Sequence, residues 1–186
     1  MIKQLRNFHS SERLSQIYSK PHDHSIYGRG HHTRVEITKV VLAEVANRTK
    51  SSSVGDLSCG NGAIAKSLNF SHTYLGDYAP GYDYFGPIDK TILNMPKVSL
   101  YICSESLEHL EDPATVLKLI RNKSDHMILS TPIENWEDTN EEHYWSWDRD
   151  GVESLLVESG WSVDSFLMLD TTTFGEPYKY GIWGCK

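Results

Sequence analysis

Cysteine is scarce in this chain. The three present, Cys59, Cys103 and Cys185, have no metal-knuckle or redox-pair spacing. Their apolar neighbours mark them as small core residues of a reducing compartment rather than halves of disulfides. Long apolar runs are lacking too. No stretch approaches the roughly 20 residues of a bilayer crossing, and Met1-Ile2-Lys3-Gln4-Leu5-Arg6 has no apolar core of a secretion signal, so a cytoplasmic protein with no membrane association is expected. Cations are in deficit, 18 Lys and Arg against 25 Asp and Glu for a formal charge of -7. That balance disfavours binding to duplex DNA, which depends on clustered Lys and Arg displacing counterions, while leaving room for a nucleotide or a single RNA end. Internal repeats are also missing.

What is present, 186 residues with 39% hydrophobic content, suits one domain with a sizeable core, working as a monomer or homodimer. Residues 1–33 are polar and His-rich and read as a helix followed by a mobile leader or lid. His22, His24, His31 and His32 in that leader are expected to be solvated, the alternatives being a lid or a zinc patch. The domain proper is expected over 34–186. It opens with an amphipathic helix from Arg34 to Asn47, on which Val35, Ile37, Val40, Val41, Val45 and Ala46 recur at near-helical spacing.

The most informative segment is Asp56-Leu57-Ser58-Cys59-Gly60-Asn61-Gly62. It ends a short apolar strand and leads into an expected helix, Ala63 to Leu68. Glycines at 60 and 62 can take backbone angles closed to other residues and let a ligand approach the main chain. A second strand, Thr73 to Asp77, ends in a carboxylate about twenty residues on, where a nucleotide-like cofactor would need an acceptor for its ribose hydroxyls. The glycine pattern also admits NAD. Asp56, on the strand end, would repel a pyrophosphate, and the chain is short for a dehydrogenase with a second domain.

Downstream, Tyr78 to Pro87 reads as a loop and Ile88 to Leu93 as a third strand with Asn94 at its end. An apolar strand then runs from Val98 into Ser104-Glu105-Ser106-Leu107-Glu108-His109-Leu110-Glu111-Asp112-Pro113, and Pro113 opens a helix capped by Asp112. Met127 to Pro132 is a further strand. Ser162 to Leu169 and Tyr178 to Cys185 pair antiparallel around a Thr- and Gly-rich turn.

The combination of Asp56-x-x-x-Gly60-x-Gly62, Asp77 and the Glu-x-x-Glu-His segment after the fourth strand resembles the class I S-adenosylmethionine-dependent methyltransferases. So do Met127 to Pro132 and the run from Trp147 to Trp161, and the likeness covers roughly residues 50 to 186. It implies an α/β, Rossmann-like fold: a mostly parallel seven-stranded sheet with an antiparallel last strand and helices on both faces. The activity implied is methyl transfer from S-adenosylmethionine. The cofactor would be held by Asp56, Ser58, Gly60, Gly62, Asp77, Tyr78, Asn94, Ser104 and Glu105, with Tyr27 and Arg29 reaching in from the leader.

Glu105, Glu108, His109 and His143 also resemble the ligand set of the metal-dependent O-methyltransferases, including those that act on the terminal 2′-hydroxyl of small RNAs. They are the expected catalytic residues and candidate ligands of Mg2+ or Mn2+. The implied acceptor is a hydroxyl of a small molecule or of a nucleotide or RNA end. A metal-independent N- or C-methyltransferase and a non-catalytic cofactor-binding subunit are the alternatives. Trp136, Tyr144, Trp145 and Trp147 would form either an aromatic rim for a flat substrate or part of the core.

Overall fold

The computed structural model describes residues 1–186. In chain order its elements are β1 (Ile2–Gln4), α1 (Ser11–Ile17), α2 (Arg29–Thr49), β2 (Ser53–Asp56), β3 (His72–Asp77), β4 (Tyr84–Phe85), α3 (Ile88–Asn94), β5 (Leu100–Ser104), α4 (Pro113–Lys123), β6 (Met127–Ile133), β7 (Trp145–Trp147), α5 (Arg149–Glu158), β8 (Val163–Asp170) and β9 (Lys179–Cys185). Seven strands form one sheet in the order β4-β3-β2-β5-β6-β9-β8. β9 runs antiparallel to both its neighbours and the other pairings are parallel. The expected mostly parallel sheet with an antiparallel last strand is therefore present. From β2 the chain moves outward to β3 and β4, then returns to lay β5 and β6 on the other side. That reversal opens a crevice at the carboxyl ends of β2 and β5, the place where open α/β sheets bind ligands.

The two-residue period of the strands explains why helices cover both faces. Leu100 and Ile102 of β5, with Val54, Ile128 and Ile182, pack on Val35, Leu42 and Val45 of α2. Tyr101 and Cys103 point the other way. With Leu129 and Trp183 they meet Ile92 of α3, Val116, Leu117 and Ile120 of α4, and Leu156 of α5. Helix α4 starts as its sequence dictates: the Asp112 side chain accepts the Thr115 N–H and Pro113 occupies the first turn. No helix is long and apolar enough to cross a membrane.

Three expectations need correction. Residues Ala63 to Leu68 form no α-helix but a 3-10 turn at Ala65–Ser67. Little chain separates Gly62 from β3, and Ile64, Ala65, Leu68 and Phe70 are all drawn into the α2-side core. Residues Ile88 to Leu93 are helix α3, not a strand: burial of Ile88, Thr91 and Ile92 on one helical face outweighs their β propensity, and Tyr84–Phe85 takes the outer place in the sheet. Lastly, the helix expected from Arg34 to Asn47 is longer, running from Arg29 to Thr49. Ahead of that helix, β1 pairs antiparallel with β7, Ile2 opposite Trp147 and Gln4 opposite Trp145.

Candidate active site

At the crevice, β2 ends in Asp56 and β3 in Asp77, and the turn between them is folded onto the second carboxylate. The Gly60 N–H donates to Asp77 Oδ2 at 2.8 Å and the Ala79 N–H to Oδ1 at 2.9 Å. Tyr82 Oη closes the turn from outside by donating to the Gly60 carbonyl at 2.6 Å. Gly60 (φ +54°) and Gly62 (φ +77°) both lie in the left-handed region. Ser58 Oγ sits 2.5 Å from Ser106 Oγ and ties the turn to the segment after β5. Burial raises both acids, Asp56 to about 7, with the Ser58 N–H its hydrogen-bond donor. Asp77 is raised less strongly, since the Ala79 and Gly60 N–H groups favour its charged form. Tyr78, half-buried, follows Asp77 and meets Tyr18 of the segment after α1, ring centroids 5.4 Å apart.

Of the leader residues expected to reach in, Tyr27 stacks on His22 at 4.5 Å. Arg29 is exposed and lies over the Phe174 ring, 5.0 Å from its centroid. The arginine that does turn inward is Arg34, one helical turn further on and only 1% exposed. Its Nη1 donates to Ser104 Oγ at 2.9 Å, its Nη2 is 3.5 Å from His31 Nε2, and its Nε has no partner. No carboxylate pairs with it. A buried guanidinium in that state is costly, and it makes the spot beside Ser104 a receptor for an anionic group. Asn94, by contrast, is remote from the crevice. It ends α3 at the amino edge of the sheet, where Lys123 Nζ donates to the Leu93 and Met95 carbonyls.

The acid and imidazole groups after β5 and β6 form a second cluster. Glu105 follows β5 in the left-handed region (φ +52°), a conformation disfavoured for a residue with a side chain. It is held there by its N–H to the Ser130 carbonyl at 2.8 Å and by Ser130 Oγ, which donates to its Oε1 at 2.9 Å. Glu108, 1% exposed, accepts Thr131 Oγ1 on Oε2 at 3.0 Å, while its Oε1 has no hydrogen-bond partner and stands 3.8 Å from His109 Nε2. Burial, reinforced by the Glu105 charge, lifts Glu108 to about 8. Burial and the neighbouring His143 lower His109 to about 3. His109 Nδ1 lies 3.0 Å from the Glu142 carbonyl, so that nitrogen carries the proton and Nε2 presents a lone pair toward Glu108.

His143 completes the set. Its ring packs edge-on to His109, centroids 4.8 Å apart, and its Nδ1 lies 2.7 Å from Asp138 Oδ2. Burial alone would lower this imidazole, yet the Asp138 hydrogen bond and the Glu108 charge outweigh it and the net shift is upward. The Tyr144 N–H donates to the Glu108 carbonyl at 2.8 Å, which locks the His143 segment to the Glu108 turn.

Glu108, His109 and His143 thus each offer a ligand atom within 4.8 Å of the others. Glu105, expected as a fourth member, instead faces Ser130 and stands outside that group. Asp138 and Arg34 belong to no motif that the sequence displays. The aromatic residues are split: Tyr144 and Trp147 are core, 1% and 0% exposed, whereas Trp136 and Trp145 are half-buried. Of the leader histidines, expected to be solvated, His22 is exposed and His24 and His31 are half-buried; these three converge and His32 stands apart.

No family model and no curated protein matches the sequence. Solved structures do match in fold. One is 1,6-didemethyltoxoflavin-N1-methyltransferase of Burkholderia thailandensis with its substrate and S-adenosylhomocysteine bound, at 13% identity over 99% of this chain and 93% of that one, TM-score 0.68. A second is magnesium protoporphyrin IX methyltransferase of Synechocystis with bound S-adenosylhomocysteine, at 16% identity over 94% and 92%, TM-score 0.64. A third is the small RNA methyltransferase HEN1, at 17% identity over 82% of this chain but 25% of that one, TM-score 0.60. At such identities the likeness is one of fold.

Proposed function

Taking the fold of the class I methyltransferases as premise, we propose that this protein transfers a methyl group from S-adenosylmethionine to an acceptor hydroxyl of a small molecule or of a nucleotide or RNA end. The observation that carries the reading is the pair of strand-end acids, Asp56 and Asp77, on either side of the Gly60 turn, with the Glu108, His109 and His143 cluster one strand away. Asp77 takes the ribose hydroxyls, Arg34 the carboxylate of the methionyl group, and Asp56 the positive pole of the cofactor. Bound S-adenosylhomocysteine in two of the fold neighbours supports that choice of cofactor.

A sulfonium methyl is already activated. The protein's work is to align the acceptor behind it, exclude water, and take up the hydroxyl proton. Glu108 Oε1, His109 Nε2 and His143 suit a divalent ion such as Mg2+ or Mn2+: the orphaned carboxylate oxygen lacks a counter-charge, and Asp138 orients His143 as such ligands usually are oriented. Bound there, the ion would lower the pKa of the acceptor hydroxyl. The 2.7 Å Asp138–His143 contact also favours a second reading, in which His143, held in one tautomer by Asp138, is a metal-free general base through Nε2 once that nitrogen gives up its 3.1 Å contact with Asn140 Nδ2.

Calorimetry with S-adenosylmethionine and with NAD tests the cofactor, and binding of NAD alone would overturn the proposal. Turnover on vicinal-hydroxyl acceptors in excess EDTA separates the two readings. Loss of turnover with cofactor binding intact supports the ion, and full activity supports the His143 base.

A further inference from the structure

We propose that His22, His24 and His31 form a binding site for one borderline transition-metal ion, Zn2+ by preference, which fastens the N-terminal segment over the Gly60 turn. The three imidazoles come from different places: His22 from the coil after α1, His24 from the 3-10 turn His24–Ile26, and His31 from the first turn of α2. Their ligand nitrogens nonetheless lie within 4.8 Å of one another. Ring centroids are separated by 5.4 Å (His22 to His24), 5.9 Å (His22 to His31) and 5.1 Å (His24 to His31). Three imidazoles on a tetrahedral ion, each nitrogen about 2.0–2.1 Å from it, place their ring centroids about 5 Å apart, so little movement is needed.

The nearest pair, His24 Nδ1 and His31 Nε2 at 2.9 Å, now share a proton where the ion would sit. That single proton must move to the far nitrogen of its ring before both lone pairs face the ion. Tyr27 Oη, 3.2 Å from His22 Nδ1, orients that ring as outer-shell partners do. The opposing charge is Arg34. Its Nη1 is engaged by Ser104, and Asp23, Asp77 and Glu142 act on His22 from other sides.

An all-nitrogen donor set selects Zn2+, Ni2+ or Cu2+ over Mg2+; the Glu108, His109 and His143 cluster would also accept Zn2+, so removing Glu108 is what tells the two sites apart. Its consequence is mechanical. A Cβ built at Gly60 would stand 2.7 Å from the His22 carbonyl oxygen and 3.4 Å from His24 Nε2, so this stretch already rests on the turn. An ion joining it to α2 would hold it there. The inference does not depend on the methyl-transfer reading.

The test is a Zn2+ titration of the untagged full chain against a chromophoric chelator, with Glu108→Gln alongside and His24→Ala and His31→Ala each made in the Glu108→Gln background. One equivalent should bind to Glu108→Gln, and at least one to wild type. Affinity should fall on the order of a hundredfold in either histidine variant, at least the loss seen when an outer-shell partner is removed. Zn2+ should also slow chymotryptic cleavage after Tyr18 and Tyr27 in wild type and in Glu108→Gln, but not in either histidine variant. Undiminished affinity in both histidine variants, or loss of the site in Glu108→Gln instead, overturns the proposal. Should the alanine variants misfold, Co2+ added to the Glu108→Gln chain decides: intense four-coordinate visible bands support the site, and a weak six-coordinate spectrum overturns it.

Discussion

At the end of β2 the Asp56 carboxylate is 3% exposed, and burial lifts it to about 7 from an ordinary 3.8. With its folded-state pKa raised, ionisation costs the folded protein progressively more as pH climbs from about 4 to about 7, and stability falls across that window. Asp56→Asn removes the slope. Calorimetric melts should show the variant gaining on wild type over that range and then levelling, the gain bounded near 4 kcal/mol at about 1.36 kcal/mol per pKa unit. A difference independent of pH would sink the assignment. Arg34→Met should lower two observables together. It leaves the Glu105 carboxylate without the charge that favours its ionised form and Ser104 without its donor, so the melting temperature of the free protein falls, and S-adenosylmethionine binding weakens by about 1.5–3 kcal/mol, the worth of a charged hydrogen bond. Unchanged cofactor affinity would dismiss Arg34 as the carboxylate receptor. The sequence exposed Glu108, His109 and His143 because their types and order form a pattern. Arg34 and Asp138 had no such signal: Arg34 occupies an unremarked polar place in an amphipathic helix, and Asp138 gains meaning only through a loop that curls back onto His143.

Among the elements, α4 shows most directly how local chemistry sets a boundary. Asp112 accepts both the N–H and the hydroxyl of Thr115, at 2.9 and 2.7 Å, outside the crevice. Asp112→Ala should cost about 1 kcal/mol of stability and leave S-adenosylmethionine affinity unchanged, checked by urea denaturation beside calorimetry. A cofactor effect would mean that α4 communicates with the site. The same rules read most strands correctly, since β5, β6 and β9 have apolar residues on both faces. They misread α3, where Ile88, Thr91 and Ile92 look like a strand until tertiary packing selects one helical face. They also extended the 3-10 turn at Ala65–Ser67 into a helix, because small residues and a glycine start say nothing about how much chain remains before the next strand.

For the molecule as a whole, the reversal of strand order between β2 and β5 follows from topology and could be read once alternating strands and helices were assigned; the closeness of its two side-chain clusters could not. A ligand seated at that crevice binds only the folded chain. S-adenosylmethionine at a hundred times its Kd should therefore stabilise the fold by about 2.7 kcal/mol, or roughly 5–10 °C in melting temperature for a chain of this size, with NAD giving no shift. An equal shift from both would remove the distinction drawn from Asp56. Glu105 sets a hazard for anyone improving the protein. Its backbone occupies a region that glycine enters freely (φ +52°), so a library selected for heat resistance alone would enrich Glu105→Gly. The winners would be sturdier and stripped of a carboxylate at the mouth of the crevice. Selection for endurance and selection for turnover would then pull this one codon in opposite directions.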